Sequence, residues 1–195
     1  MKHLAAASLA VASVAACDLP LPGQGTRTLP LYDGAVLARG PTGYCVDPAS
    51  SRPEAGFAVI GACGLLAASG IMPPADGFIT VQVAGPGTAA VSGAEEALAR
   101  LLREPRGAAL LTDSDTPAAV TVGQIDLGEG TVIVRFRDSA DPPVAGLTDE
   151  GWRAFLDLED RLATVNLRSY DRAPLPPAEA QALLYAAVAA LRAAN

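Results

Sequence analysis

The chain has 195 residues, half of them hydrophobic, so it is long enough and apolar enough to bury the core of one domain. It carries 21 carboxylates against 14 lysines and arginines, a formal net charge of −7. This acidic balance, without a basic stripe, argues against nucleic acid as a partner and against electrostatic adhesion to anionic lipid.

The first sixteen residues have the pattern of a secretory signal peptide. Residues 1–3 carry positive charge, residues 4–14 form an uncharged and mostly apolar run, and two alanines precede Cys17. The run is too short to cross a bilayer as a permanent helix, which needs about 20 apolar residues. We therefore predict that residues 1–16 direct export and are then removed.

Cys17 is predicted to receive a lipid. The sequence Val14-Ala15-Ala16-Cys17 resembles the bacterial lipobox, in which the cysteine receives diacylglycerol and a further amide-linked chain such as palmitate. Ordinary signal-peptidase cleavage and an unmodified Cys17 are the alternatives. A lipidated Cys17 would anchor the protein in the bacterial cell envelope, with its body facing the periplasm. Asp18 favours the inner membrane over the outer one, and this choice stays open.

Removal of the leader would also remove side chains that several kinds of catalysis require. Lys2 and His3 are the only lysine and the only histidine, so the mature chain would keep 13 arginines against 21 carboxylates. Without an imidazole, Ser-His-Asp catalysis, Cys-His catalysis and histidine-ligated metal sites are excluded. Without a lysine, Schiff-base chemistry and a P-loop are excluded as well. We expect no catalytic site, no metal and no cofactor apart from the covalent lipid on the anchor cysteine.

The next part of the chain predicts a tether followed by a small β part. Residues 17–34 contain three prolines and three glycines, which favours a flexible, lipid-anchored tether. Residues 35–195 are expected to form a single α+β domain. Within it, residues 35–74 should form a small disulfide-linked β part, with strands at 35–39 and 56–63 around a turn at 40–48.

The cysteine count supports lipidation and predicts one disulfide. If Cys17 carries lipid, Cys45 and Cys63 remain as an even pair in an oxidising compartment, where disulfides persist. Their bridge would close a loop of about 19 residues and stabilise the fold by about 3 kcal/mol. Two buried free thiols are the alternative. A zinc site is disfavoured because two thiolates without histidine do not complete a tetrahedral ligand set.

Residues 75–195 are expected to hold the main sheet and the helices. Apolar patterns predict strands at 78–83, 108–112, 119–125, 131–137 and 162–167. Capping residues and helical spacing predict helices from Ser92 to about Glu104, from Thr148 through Leu156 and from Pro177 through Leu191. This order indicates an α+β fold, with a mostly antiparallel sheet and helices packed on one face, including the C-terminal helix. The apolar stripe of that helix covers the sheet or, as the alternative, docks a partner.

One segment suggests phosphoryl transfer. The sequence ALLTDSDT, residues 109–116, resembles motif I of the haloacid-dehalogenase-like phosphotransferases. In that family the first aspartate attacks phosphorus and the second handles the proton of the leaving group beside magnesium. The resemblance would give these roles to Asp113 and Asp115. The family also uses a lysine or arginine and a downstream acidic pair, and the mature chain has no lysine, so ordinary turn residues before Pro117 are the favoured interpretation.

Two arginines are candidate ligand contacts. Arg135 and Arg137 lie two residues apart on a predicted strand and so share one face. Together they could hold an anionic ligand through bidentate hydrogen bonds. A solvated strand face, on which carboxylates pair with both arginines, is the favoured interpretation.

The sequence also resembles a known group of proteins. The segments GPTGYCVDP (40–48), GFAVIGAC (56–63) and GWRAFLDLEDRLATVNL (151–167) resemble a family of small lipoproteins from alphaproteobacteria of the Rhodobacter type. The resemblance covers most of the mature chain and implies no established activity. The sequence thus predicts an exported envelope lipoprotein with a non-catalytic accessory role, acting through contacts with another envelope protein. A periplasmic domain that binds a small anion is the alternative, and a phosphotransferase is the remote one.

Overall fold

The computed structural model describes residues 25–67, 72–112, 119–140, 142 and 144–195. In these ranges the strands are β1 (Thr28–Leu31), β2 (Val36–Arg39), β3 (Tyr44–Arg52), β4 (Phe57–Ala62), β5 (Gly77–Val83), β6 (Val120–Gly128), β7 (Thr131–Asp138), β8 (Leu147–Leu158) and β9 (Arg161–Tyr170). The helices are α1 (Cys63–Leu66), α2 (Glu95–Leu102), α3 (Pro105–Ala108) and α4 (Pro177–Arg192). None of these helices has both the length and the apolar character needed to cross a bilayer.

Seven strands form one antiparallel sheet, in the order β3-β4-β5-β9-β8-β7-β6. Every pair of neighbouring strands in it runs antiparallel. β1 and β2 form a separate hairpin. The predicted α+β class, with a mostly antiparallel sheet and a C-terminal helix, is therefore confirmed.

One face of the sheet, which we call the α4 face, is buried by the C-terminal helix. The apolar stripe predicted for this helix faces the sheet, and its buried residues are Leu183, Leu184, Ala187, Val188 and Leu191. They share a core with Ile79, Val81 and Val83 of β5. Because successive residues of a strand point to opposite faces, the intervening residues Thr80 and Gln82 lie on the other side of the sheet.

The opposite face, which we call the α2 face, is covered at one end. α2 and α3 lie over β6, β7 and β8, where Leu102 joins Val132, Val134 and Phe155 in a second core. The helices are thus divided between the two faces, with α4 on one and α2 on the other. The β4, β5 and β9 part of the α2 face lies outside this second core, and it forms the groove described below.

The helix predicted from Thr148 through Leu156 is wrong, because these residues belong to β8. Trp152 and Leu156 face the core beneath α4, whereas Phe155 faces the core beneath α2. A strand that is covered on both faces buries apolar residues without clean alternation. The spacing of Trp152, Phe155 and Leu156 therefore imitates a helix in the sequence.

Two other local predictions are corrected. Residues 44–52 form strand β3, where a turn was expected over 40–48. Tyr44 is buried there, its hydroxyl donates to the carbonyl of Ala75, and burial raises the pKa of Tyr44 to about 12. The strand predicted at 108–112 is wrong, because Ala108 is the last residue of α3 and a turn follows it. That helix starts at Pro105, whose fixed φ and missing N–H suit the first helical position.

The predicted limits of the tether and of the small β part are also corrected. Residues 25–34 belong to the folded body, because β1 pairs with β2 and Leu31 is fully buried. Pro30, which suggested a linker, is tolerated in this edge strand. Residues 17–24 lie outside the described residues. The expected division at residue 74 is absent from the described sheet, because β3 and β4 continue into β5.

Asp157 holds the loop that precedes α2. Its carboxylate accepts hydrogen bonds from the backbone N–H groups of Ala90 at 2.9 Å, Val91 at 3.0 Å and Ser92 at 2.8 Å. Burial acts to raise the pKa of Asp157, but the three N–H donors outweigh it and the pKa is lowered. The ionised carboxylate therefore fixes this loop to the end of β8.

Replacing Asp157 by asparagine is expected to lower the free energy of unfolding by about 2 kcal/mol at pH 7, because charge-assisted hydrogen bonds are lost. Because the folded-state pKa is depressed, this stabilisation is present above about pH 4 and disappears as the pH falls through the folded-state pKa. Urea denaturation of both proteins between pH 3 and pH 7 measures the gap, which is the difference between their free energies of unfolding. The exposed Glu54→Gln is the control. A gap that stays constant over this pH range would contradict the account.

Candidate functional site

The part of the α2 face that the described residues leave uncovered forms a groove of about 710 Å³, which we call the open-face groove. Residues of β3, β4, β5, β7, β8 and β9 line it, and Val144 and Leu147 close one end. This volume lies within the roughly 300–1,000 Å³ range of small-molecule sites. The groove is a broad depression on a rigid sheet, so its lining side chains are held by strand pairing.

Strand register places the lining side chains in three cross-strand rows. The rows are Phe57-Gln82-Thr164, then Val59-Thr80-Asn166-Arg153, then Phe78-Arg168-Gly151-Phe136. Side chains opposite each other in such rows are in contact distance. The half-buried apolar residues Phe57, Val59 and Phe78 gather at the β4 side, and polar and cationic residues follow towards β8. One side of the groove is therefore apolar and the other offers hydrogen bonds and positive charge.

A chain of hydrogen bonds fixes the middle row. The Nδ2 of Asn166 donates to Oγ1 of Thr80 at 3.1 Å, and Oδ1 of Asn166 accepts from Nε of Arg153. Arg153 also donates from NH1 to the carbonyl of Leu110. Because both ends of the Asn166 amide have partners, its orientation is set and the floor of the groove is preorganised.

Two arginines flank one aromatic ring at the cationic side. The guanidinium carbons of Arg153 and Arg168 lie 5.8 and 5.6 Å from the centre of the Phe136 ring, within cation–π range. The ring can lie over the backbone because residue 151 is glycine. A Cβ built on Gly151 would lie 2.6 Å from Cζ of Phe136, far inside van der Waals contact. Gly151 therefore permits this arrangement.

Arg168 is fixed by its own contacts. Its NH1 donates to the carbonyls of Thr148 at 2.9 Å and Asp149 at 3.3 Å, and its NH2 lies 3.8 Å from a carboxylate oxygen of Asp138. The side chain is 10% exposed. Arg168 is thus held in place at the end of the groove, with the buried carboxylate of Asp138 offsetting part of its charge.

The charge of the groove differs from that of the chain. The described lining residues include three arginines, Arg52, Arg153 and Arg168, and no aspartate or glutamate. The chain as a whole has a net charge of −7. Arg52 is exposed at the apolar side, with its guanidinium carbon 5.1 Å from the centre of the Phe57 ring. The groove is therefore a positive region on an acidic protein, which favours anions.

The predicted ligand contacts Arg135 and Arg137 lie elsewhere. They are on the α4-face side of β7, and each meets a carboxylate of β8. Arg135 NH2 lies 2.6 Å from Glu150, and Arg137 NH1 lies 2.7 Å from Asp149. An anion would have to displace these carboxylates to bind both guanidiniums. The structure thus places the two arginines in ion pairs outside the open-face groove.

The other predicted site residues are a cysteine pair and three residues that lie outside the described ranges. Cys45 and Cys63 are joined by a disulfide that links the start of β3 to the start of α1. The N–H of Cys63 also donates to the carbonyl of Gly43 at 2.9 Å, so the bridge lies in an ordered corner of the fold. Cys17, Asp113 and Asp115 lie outside the described residues.

Sequence reasoning missed the open-face groove, although a signal was present. In the alternating strand at 78–83, the inward residues are Ile79, Val81 and Val83, which leaves Phe78 on the face expected to be polar. Phe57 lies on the same outward face of the sheet, on the neighbouring strand β4. Aromatic residues at outward positions of two neighbouring strands indicate a binding surface or an uncovered core.

Among the residues that the structure describes, no three histidine, cysteine, aspartate or glutamate side chains come together as a metal site. No catalytic site is identified in this part of the chain. No family model matches the sequence, and no curated protein is significantly similar to it.

Proposed function

We propose that this protein is an exported lipoprotein of the bacterial envelope that acts by binding, without catalysis, through the open-face groove. The leader and the cysteine at position 17 support export and lipidation. The absence of histidine and lysine after residue 16 supports a role other than acid–base or covalent catalysis near neutral pH. The lipid would hold the groove close to the membrane, where envelope molecules are concentrated.

The observation that carries the binding role is the composition of the groove. Half-buried Phe57 and Phe78 lie beside a hydrogen-bonded floor built around Asn166. A few fixed polar groups beside apolar and aromatic walls are characteristic of ligand sites. The ion-paired Arg135 and Arg137 offer a poorer site, because their donors already meet carboxylates.

Co-purification from native membranes tests this proposal. The lipidated protein is extracted in mild detergent, and the molecules that accompany it are identified by mass spectrometry. The variant Thr164→Glu, which introduces a carboxylate in the groove, should lose at least one co-purifying molecule that the wild type retains. The exposed edge-strand variant Thr121→Glu, on β6, should retain it. Identical companions for all three proteins would contradict a binding role for the groove.

A further inference from the structure

We infer that the open-face groove binds an amphiphilic anion, in which an aliphatic or aromatic body carries one carboxylate-type head. This inference rests on the proposed binding function and names the chemistry of its ligand. It places the body against the β4 side of the groove and the head at the β9–β8 side.

The apolar side fits the body of such a ligand. Phe57, Val59 and Phe78 present two rings and one branched side chain on adjacent strands, and all three are half-buried. Adjacent strands lie about 4.8 Å apart, so these side chains form one continuous apolar strip. A polar ligand would gain nothing from this strip, whereas an aliphatic or aromatic one would remove it from water.

The other side fits the head. Thr164 and Asn166 bring polar groups to the floor, and Arg153 and Arg168 place positive charge beside it. Both arginines are held in place by contacts with backbone carbonyls, and Asp138, which lies 3.8 Å from Arg168, is not among the lining residues. No carboxylate of the described lining residues opposes an anion. A cationic amphiphile would meet three like charges and is disfavoured.

Calorimetric titration with dodecanoate, below the concentration at which it forms micelles, tests the inference. The protein used is the exported and processed Cys17→Ser chain with its disulfide intact, because this variant carries no lipid of its own that could compete with the titrant. Dodecanoate should bind, and hexanoate should bind at least about tenfold more weakly because it covers less of the apolar strip. Dodecanol and dodecyltrimethylammonium should each bind at least about tenfold more weakly than dodecanoate, because one lacks the charge and the other reverses it.

Matched variants locate the binding. Thr164→Glu should weaken dodecanoate binding by at least about tenfold, whereas Thr121→Glu should change it less than about twofold. If Thr164→Glu does not fold, as judged by circular dichroism, Arg52→Glu replaces it, because that side chain is exposed. Equal binding of dodecanol or of the cationic amphiphile would overturn the inference. So would equal binding by the groove variant and by Thr121→Glu.

Two further comparisons distinguish a lipid headgroup from a free carboxylate as the ligand, and a failure of the ligand class from a failure of the proposed function. Binding to phosphatidylglycerol vesicles without binding to dodecanoate would assign the groove to lipid headgroups and overturn the carboxylate amphiphile. Failure of dodecanoate, together with a groove-dependent companion in the co-purification, would overturn the ligand class and leave the proposed function standing. Failure of both experiments would overturn both proposals.

Discussion

Replacing Cys17 by serine is expected to move nearly all of the protein from the membrane fraction to the soluble periplasmic fraction. A thioether-linked diacylglycerol and an amide-linked chain together anchor a protein stably, since each buried methylene contributes about 0.8 kcal/mol. No helix in the described part of the chain is long and apolar enough to span a bilayer. Fractionation followed by immunoblotting measures the shift, and intact-mass analysis of the wild type should find the mass of the acyl groups.

The control for this experiment is the pair of disulfide cysteines. The double variant Cys45→Ser and Cys63→Ser keeps the lipidation site, so the protein should remain in the membrane fraction while losing about 3 kcal/mol of stability. Retention of Cys17→Ser in the membrane at the level of the wild type would refute lipid anchoring. An unmodified residue 17 in the mass spectrum would refute it as well.

Replacing Gly151 by alanine is expected to lower the free energy of unfolding by about 2 kcal/mol, a typical cost of overpacking. The new Cβ would lie 2.6 Å from Cζ and 3.0 Å from Cε1 of Phe136, so the ring must leave its position. Phe136 is 3% exposed, and Arg153 and Arg168 lie on either side of it, so little space is available for the movement. Urea denaturation at pH 7 measures the loss.

A second variant separates this clash from other effects of the substitution. Phe136→Leu shortens the side chain that meets the new Cβ, so the double variant Gly151→Ala with Phe136→Leu should be more stable than the sum of the single losses predicts, by about 1 kcal/mol. Strictly additive losses would show that Gly151 has a different role. Gly128→Ala, at the end of β6 where a Cβ has only contacts of 3.8 Å and longer, is the matched glycine control.

The sequence predicted an element correctly where a single physical signal determined its residue pattern. β5 alternates because one of its faces packs under α4 and the other lines the groove, and α4 has an apolar stripe because one side meets the sheet. The disulfide followed from compartment and cysteine parity, and in the structure Cys45 and Cys63 are joined. These features can be recognised from local sequence patterns, without knowledge of the tertiary contacts.

The predictions that failed did so because of contacts between residues that are distant in the chain. β8 is covered on both faces, so Trp152, Phe155 and Leu156 are buried by two different helices and lose the alternation of a strand. β1 was assigned to the tether because the prolines and glycines of residues 17–34 suggest a linker, yet Leu31 is fully buried by the fold. In both cases the sequence pattern is governed by partners that are distant in the chain.

The site was predicted least well. Arg135 and Arg137 share a strand face, as expected, and they form ion pairs with Glu150 and Asp149 of the neighbouring strand β8. The groove depends on a strand order that is not sequential, since β5 pairs with β9. The row Thr80-Asn166-Arg153 exists only after that pairing is known. Sequence alone therefore does not show which side chains of neighbouring strands lie together.

The most direct test of the binding role is a position-resolved photo-cross-linking profile in native membranes. A benzophenone amino acid is placed in turn at Val59, Thr80 and Thr164 in the groove, at Thr121 on the edge strand, and at Ala186 on the exposed side of α4. Adducts should form at the three groove positions and stay at background at the other two. Adducts confined to Ala186 or Thr121, with none in the groove, would contradict the account.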